Sequence, residues 1–137
     1  MGFLYLITSG SAVAIKFNPN LAQAYYGRGI VRNDLGDKQG AIDDYNLAIN
    51  INPNFAYAYY NRGIVRYELG DKQGAIDDYT QAIKINPNNA EAYYGRGLVG
   101  DKQGAIKDFQ TAANIYKKEG KGTDYQRAME QIRKINK

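Results

Sequence analysis

The chain has no cysteine, histidine or tryptophan among its 137 residues, and only 3 prolines. Without Cys there is no disulfide scaffold, no zinc–thiolate site and no thiol nucleophile. Without His, every acid–base scheme built on imidazole is closed. Asp, Glu, Lys and Tyr remain, so catalysis is disfavoured rather than excluded. Long apolar runs are also missing. The Phe3–Ile7 run has no Lys or Arg before it and stops at Thr8-Ser9-Gly10. It is far shorter than a membrane span and lacks the positive start of a secretory signal. Leu6 stands where a myristoylation signal would place Ser or Thr. A soluble, cytoplasmic chain with no stable membrane insertion is expected. With 44% hydrophobic and 23% charged residues, the composition is that of a globular protein rather than a disordered one.

What is present is repetition. Asn-Pro-Asn occurs at 18–20, 52–54 and 86–88, a spacing of 34 in both intervals. Residues 18–51 and 52–85 agree at 26 of 34 positions, which chance does not produce. A third unit, 86–115, aligns when the equivalents of Arg66, Tyr67, Glu68 and Leu69 are left out, and then 20 of 30 positions match. Repeats of this length are supersecondary units that bury a core only by stacking. Each unit reads as two short helices. Ala56 to Leu69 carries Tyr59, Tyr60, Gly63, Ile64 and Tyr67 at spacings of three and four, which predicts helix A. Gly70-Asp71 stops it. Helix B starts at Gln73 or Gly74, with Ala75, Ile76, Tyr79, Ala82, Ile83 and Ile85 on one face. The chain divides into 1–17, 18–51, 52–85, 86–115 and 116–137.

These residues resemble the tetratricopeptide repeat family over roughly 5–136. Unit one supplies Tyr25, Gly29, Ala41, Tyr45, Ala48 and Pro53 at the family's motif positions; unit two supplies Tyr59, Gly63, Ala75, Tyr79, Ala82 and Pro87. Unit three supplies Tyr93, Gly97, Ala105, Phe109 and Ala112. The resemblance implies an all-α fold, an α-solenoid of tandem helix-turn-helix repeats with a C-terminal capping helix. That helix is expected from an N-cap at Thr123 or Asp124 to about Ile135, with Tyr125, Ala128, Met129, Ile132 and Ile135 as its apolar stripe. Ser11–Phe17, with Ala12, Ala14, Ile15 and Phe17, aligns with the end of a helix B, so 1–17 reads as a remnant or capping helix segment.

The family's Leu is replaced by Arg28, Arg62 and Arg96, and its second helix-A Tyr by Arg32 and Arg66. Helix B carries Asp43-Asp44, Asp77-Asp78 and Lys107-Asp108. An Arg–Asp pairing between helices A and B is expected, since a guanidinium forks onto a carboxylate. Lys107 then marks where loss of the second arginine released one acid. Gly95-Arg96-Gly97-Leu98-Val99-Gly100 fits G-x-G-x-x-G, but it follows Ala92-Tyr93-Tyr94 inside a helix rather than a strand, so no dinucleotide site is expected. No cofactor, metal cluster or catalytic constellation is recognisable. The +4 charge lies wholly in 107–137, with 8 basic against 4 acidic side chains, and reads as a solvated cap rather than a nucleic-acid surface.

Function is expected from the helix-A positions that differ between units. In the family these line a concave groove that takes a peptide or a helix of a partner protein. Here the candidate groove residues are Gln23, Tyr26, Ile30, Asn33, Tyr57, Tyr60, Asn61, Ile64, Tyr67, Glu91, Tyr94 and Leu98. Tyr is a good anchor, with a large face and a polar tip. For Tyr26, Tyr60 and Tyr94, packing between units is the competing use. One family subtype grips a C-terminal carboxylate with Lys, Asn and Arg; at those places this chain has Tyr26, Ile30, Asn61, Glu91 and Gly95, so no such clamp is expected. The four missing residues are slightly more than one helical turn. They leave two outcomes, a shortened hairpin or a fused helix that would favour a swapped homo-dimer.

Overall fold

The structure is a computed structural model that describes residues 21–137. The expected helix over 1–17, the Phe3–Ile7 run and Asn18-Pro19-Asn20 lie outside the described residues. Among those described there are seven helices: α1 (Ala22–Asp34), α2 (Lys38–Ile51), α3 (Ala56–Glu68), α4 (Lys72–Ile85), α5 (Ala90–Val99), α6 (Lys102–Lys118) and α7 (Gly122–Ile135). Helices α1/α2, α3/α4 and α5/α6 pack as hairpins, each second helix packs on the next hairpin, and α7 closes the stack against α6. This is an all-α solenoid of stacked helix pairs with a capping helix.

Turn chemistry sets the hairpins. Gly36 and Gly70 follow α1 and α3 at φ of 88° and 86°, the left-handed region that glycine enters without a Cβ penalty. Their neighbours Asp37 and Asp71 then accept hydrogen bonds from the backbone N–H of Gly40 and Gly74, both at 2.9 Å, and cap α2 and α4. The third hairpin is built differently. Helix α5 has 10 residues where α3 has 13, and Gly100 (φ −74°, ψ 176°) and Asp101 are both extended. Asp101 still caps its helix, accepting from the Gly104 N–H at 2.7 Å. So α5 and α6 are separate helices joined by a tighter turn. Helix α6 has no Asn-Pro after Ile115 and runs on to Lys118, burying Tyr116. Helix α7 begins earlier than the sequence suggested. Its N-cap residue is Lys121, with no side-chain cap bond, and Thr123 and Asp124 lie inside the first turn.

Small residues and rings alternate through the core. Ala41, Ala48, Ala58, Ala75, Ala82, Ala92, Ala112 and Ala128 are fully buried, and Tyr45, Tyr79, Phe109 and Tyr116 are almost so. A Cβ on Gly63 would sit 2.9 Å from Tyr79 Cε1, and one on Gly97 would sit 2.8 Å from Phe109 Cε1. The helix-B ring therefore lies directly on the helix-A glycine, which fixes the close approach of the two helices.

Three buried carboxylates tie the hairpins together. Asp44 accepts from Arg28 Nε (2.9 Å), Arg28 Nη2 (2.8 Å) and Arg32 Nη1 (3.1 Å). Asp78 accepts from Arg62 Nε (3.0 Å), Arg62 Nη2 (2.7 Å) and Arg66 Nη1 (2.9 Å). Among the described residues, Asp108 accepts from Arg96 alone, at 2.8 Å through both Nε and Nη2. Each first arginine also lies over the tyrosine three residues before it, at 5.4–5.8 Å from the ring centroid. The pairing between helices holds, but its detail differs from the sequence reading. Both arginines of a unit meet the second aspartate. Asp43 and Asp77 face solvent and accept from Gln39 and Gln73 one turn earlier. Lys107 is likewise exposed, so its presence is unrelated to the deleted arginine.

Candidate concave-face site

Helices α1, α3 and α5 touch their neighbours in that series directly, so the A helices form the inner face of the stack. A residue two positions along a helix is turned by ~200°. Arg28, Arg62 and Arg96 reach the helix-B aspartates, and Tyr26, Tyr60 and Tyr94 leave helix A by another flank, where they meet the helix-B rings next in sequence to those aspartates.

These three tyrosines are half-buried and serve packing. Tyr26 meets Phe55 edge-on at 4.9 Å and Tyr45 at 6.0 Å. Tyr60 packs on Tyr79 at 5.8 Å, and Tyr94 on Phe109 at 5.3 Å. Their polar tips differ. The Tyr26 hydroxyl accepts from Asn61 Nδ2 at 2.9 Å, and the same amide donates to the Tyr57 carbonyl at 2.9 Å. Asn61 is thus committed to joining α1 and α3. The Tyr94 hydroxyl accepts from Gln131 Nε2 at 3.3 Å, and the Arg127 guanidinium lies 5.0 Å from the Tyr94 ring centroid. Burial holds the Tyr26 and Tyr60 phenols above their ordinary pKa; the Asn61 bond opposes this at Tyr26, and the Glu91 charge adds to it at Tyr60. They are neutral hydrogen-bonding surfaces at ordinary pH, not acid–base groups.

The remaining candidates spread over the same helices. Ile30 and Ile64 are half-buried, and Ile30 packs against the cluster of Tyr45 and Val65. Asn33 is drawn to the hairpin end, where its side-chain oxygen accepts from Lys38 Nζ at 3.3 Å; Lys38 also pairs with Glu68 of the next unit. Gln23 is exposed. Tyr57, Tyr67 and Leu98 are 66%, 42% and 46% exposed, large apolar groups that the core does not use. Glu91 lies 3.8 Å from Lys121. The sequence reading missed Arg127, Gln131 and Lys121. Nothing in a polar helix face or a loop lysine signals that the cap reaches the third A helix.

Two hollows adjoin this face. One of about 410 Å³ is lined by Gly97, Leu98, Gly100, Phe109, Gln131 and Ile135, where the shortened α5 leaves space beneath α7. The other, about 290 Å³, lies among Tyr57, Asn89, Glu91, Glu119 and Lys121. The G-x-G-x-x-G match has a packing use: Gly95 lies under Tyr79 and Gly97 under Phe109. Among the described residues, no group of three or more Cys, His, Asp or Glu could hold a metal, and no helix is long and apolar enough to cross a membrane.

A family model described as "Tetratricopeptide repeat" matches residues 56–89, and one described as "TPR repeat" matches 31–70. Among solved structures, a crystal structure of MamA protein is 31% identical with a TM-score of 0.71. That match covers 83% of this chain and 64% of the MamA chain, so this chain spans less than two thirds of that relative's length. A second MamA crystal structure is 27% identical, covers 93% and 84%, and has a TM-score of 0.66. The first TPR of Spaghetti (RPAP3), bound to the HSP90 peptide SRMEEVD, is 23% identical, covers 84% and 90%, and has a TM-score of 0.75. No curated protein sequence matches the chain.

Proposed function

Because this chain belongs to the tetratricopeptide repeat family, we propose that it is a non-catalytic scaffold holding a partner protein's peptide or helix in its concave face. The observation that carries this reading is the exposure of Tyr57, Tyr67 and Leu98 on the A helices, beside a half-buried tyrosine ladder. Large aromatic groups with a polar tip anchor peptides with little loss of side-chain freedom. The candidate groove comprises Gln23, Tyr26, Ile30, Asn33, Tyr57, Tyr60, Asn61, Ile64, Tyr67, Glu91, Tyr94 and Leu98. Of these, Tyr26, Asn61 and Tyr94 also hold units together, which leaves Tyr57, Tyr67 and Leu98 as the adaptable anchors.

The RPAP3 repeat holds a peptide that ends in acids. This chain has one residue of the carboxylate-gripping set, Asn61, and its amide is engaged by Tyr26 and the Tyr57 carbonyl. An acidic tail of that kind is therefore not its ligand. Affinity capture with wild type and with the Tyr57→Ala/Tyr67→Ala variant tests the groove. The variant keeps its helical signal and loses the partners; undiminished capture refutes the reading. Self-association is the second reading, favoured by the hollow beside Leu98 at the shortened hairpin. Restoring four residues after Val99 would change the assembly seen by light scattering if it holds. The intact α5/α6 hairpin lets the third unit close without a second copy.

A further inference from the structure

We propose that the segment bound in the concave face is basic, and that one of its Lys or Arg side chains enters the hollow between Tyr57 and Glu91. This rests on the groove reading above and adds the chemistry of its occupant.

The first observation is where the cations are. The A helices carry Arg28, Arg32, Arg62, Arg66 and Arg96, and all five are bonded to Asp44, Asp78 or Asp108. None is left to receive an acidic ligand. The A-helix acids Asp34, Glu68 and Glu91 are not among the partners of these arginines.

The second observation is the hollow itself. Its charged lining is Glu91, Glu119 and Lys121, two carboxylates against one ammonium. Lys121 is held mainly by Glu119, at 3.0 Å, and lies 3.8 Å from Glu91. That longer contact is the one ion pair Glu91 makes within 4.0 Å among the described residues. The carboxylate is thus partly satisfied by a cation that has a better partner. A guanidinium brings several donors in a planar fork and can take Glu91 while Lys121 stays on Glu119. Beside it stands the Tyr57 ring, 66% exposed, whose face attracts a cation.

Arg127 lies over Tyr94 and pairs with Asp124 at 3.0 Å. The chain's basic surplus is in 107–137, and among its exposed members Arg127 and Arg133 are tied to acids of their own helix.

The test is selection of peptides from a random display library on the full chain, followed by fluorescence polarisation of labelled winners. The winners are expected to be rich in Lys and Arg. They should lose about tenfold in affinity to Glu91→Gln, gain affinity for Lys121→Ala, where the competing ammonium is gone, and weaken as salt rises. Winners that bind Tyr57→Ala/Tyr67→Ala as well as wild type would refute the groove and the inference together. Winners that fail on that variant but are acidic, or are indifferent to Glu91→Gln, would overturn the basic occupant and leave the groove standing. The Gln variant is close to isosteric at a surface position, and circular dichroism checks that it folds.

Discussion

Asp78→Ala should destabilise the protein by about 3 kcal/mol, while Asp77→Ala, one residue away, should change stability by less than about 0.5 kcal/mol. Asp78 is 2% exposed and accepts three hydrogen bonds from two arginines. Removing one partner of a buried pair costs about 3–5 kcal/mol, because the remaining charge is left without compensation. The low end applies here. Arg66 is 26% exposed and can turn to water, and Arg62 keeps the Asn46 side-chain oxygen at 2.6 Å and the Tyr59 ring. Asp77 is exposed and, among the described residues, accepts from Gln73 alone. Urea unfolding followed by far-UV circular dichroism gives both values, provided the slope is unchanged; in a stacked repeat a changed slope would mean that units unfold separately. Equal effects of the two alanines would refute the assignment of Asp78 as the hub. The combined variant Arg62→Met/Arg66→Met/Asp78→Leu should recover most of the loss, since the cost lies in the orphaned charge rather than in the absent pair.

Three further outcomes follow from the packing. Gly63→Ala places a methyl 2.9 Å from Tyr79 Cε1 and 3.2 Å from Asp78 Cβ; it should cost about 1–3 kcal/mol by urea midpoint, and a neutral result would mean that the helices separate freely. Burial raises the phenol pKa of Tyr45, Tyr79 and Tyr116. The unfolded chain therefore releases these protons first, so their contribution is fully present below about pH 10 and is lost as pH rises beyond it. Ultraviolet titration of phenolate should show two classes of tyrosine, the second appearing only as helix is lost; a single class near pH 10 in a folded chain would contradict the burial. Inserting Arg-Tyr-Glu-Leu after Val99 should fill the hollow beneath α7, give Asp108 a second arginine and raise the urea midpoint.

Much of this molecule is written in its sequence. The 34-residue period, the spacing of Tyr59, Gly63, Ala75 and Tyr79, and the Gly-Asp stops determine the helices, their pairing and the stack, because those features depend on local propensity and on one repeated interface. The wish of Arg28, Arg62 and Arg96 for a helix-B carboxylate is legible too. Which carboxylate was not. Asp77 and Asp78 are adjacent and chemically alike, and only the crossing of α3 over α4 buries one and leaves the other in water. The same holds for the inner face. A sequence marks Tyr26, Tyr60 and Tyr94 as equivalent, yet tertiary packing gives the first an Asn61 bond, the last a covering of Arg127 and Gln131, and the middle one its stacking on Tyr79. The four-residue deletion is visible by alignment. That it ends in a tight extended turn at Gly100-Asp101, with a hollow under α7, was decided by what the shortened helix could still reach. Local periodicity repeats from unit to unit; the surroundings of a side chain do not, and those surroundings come from the neighbour that the fold places against it.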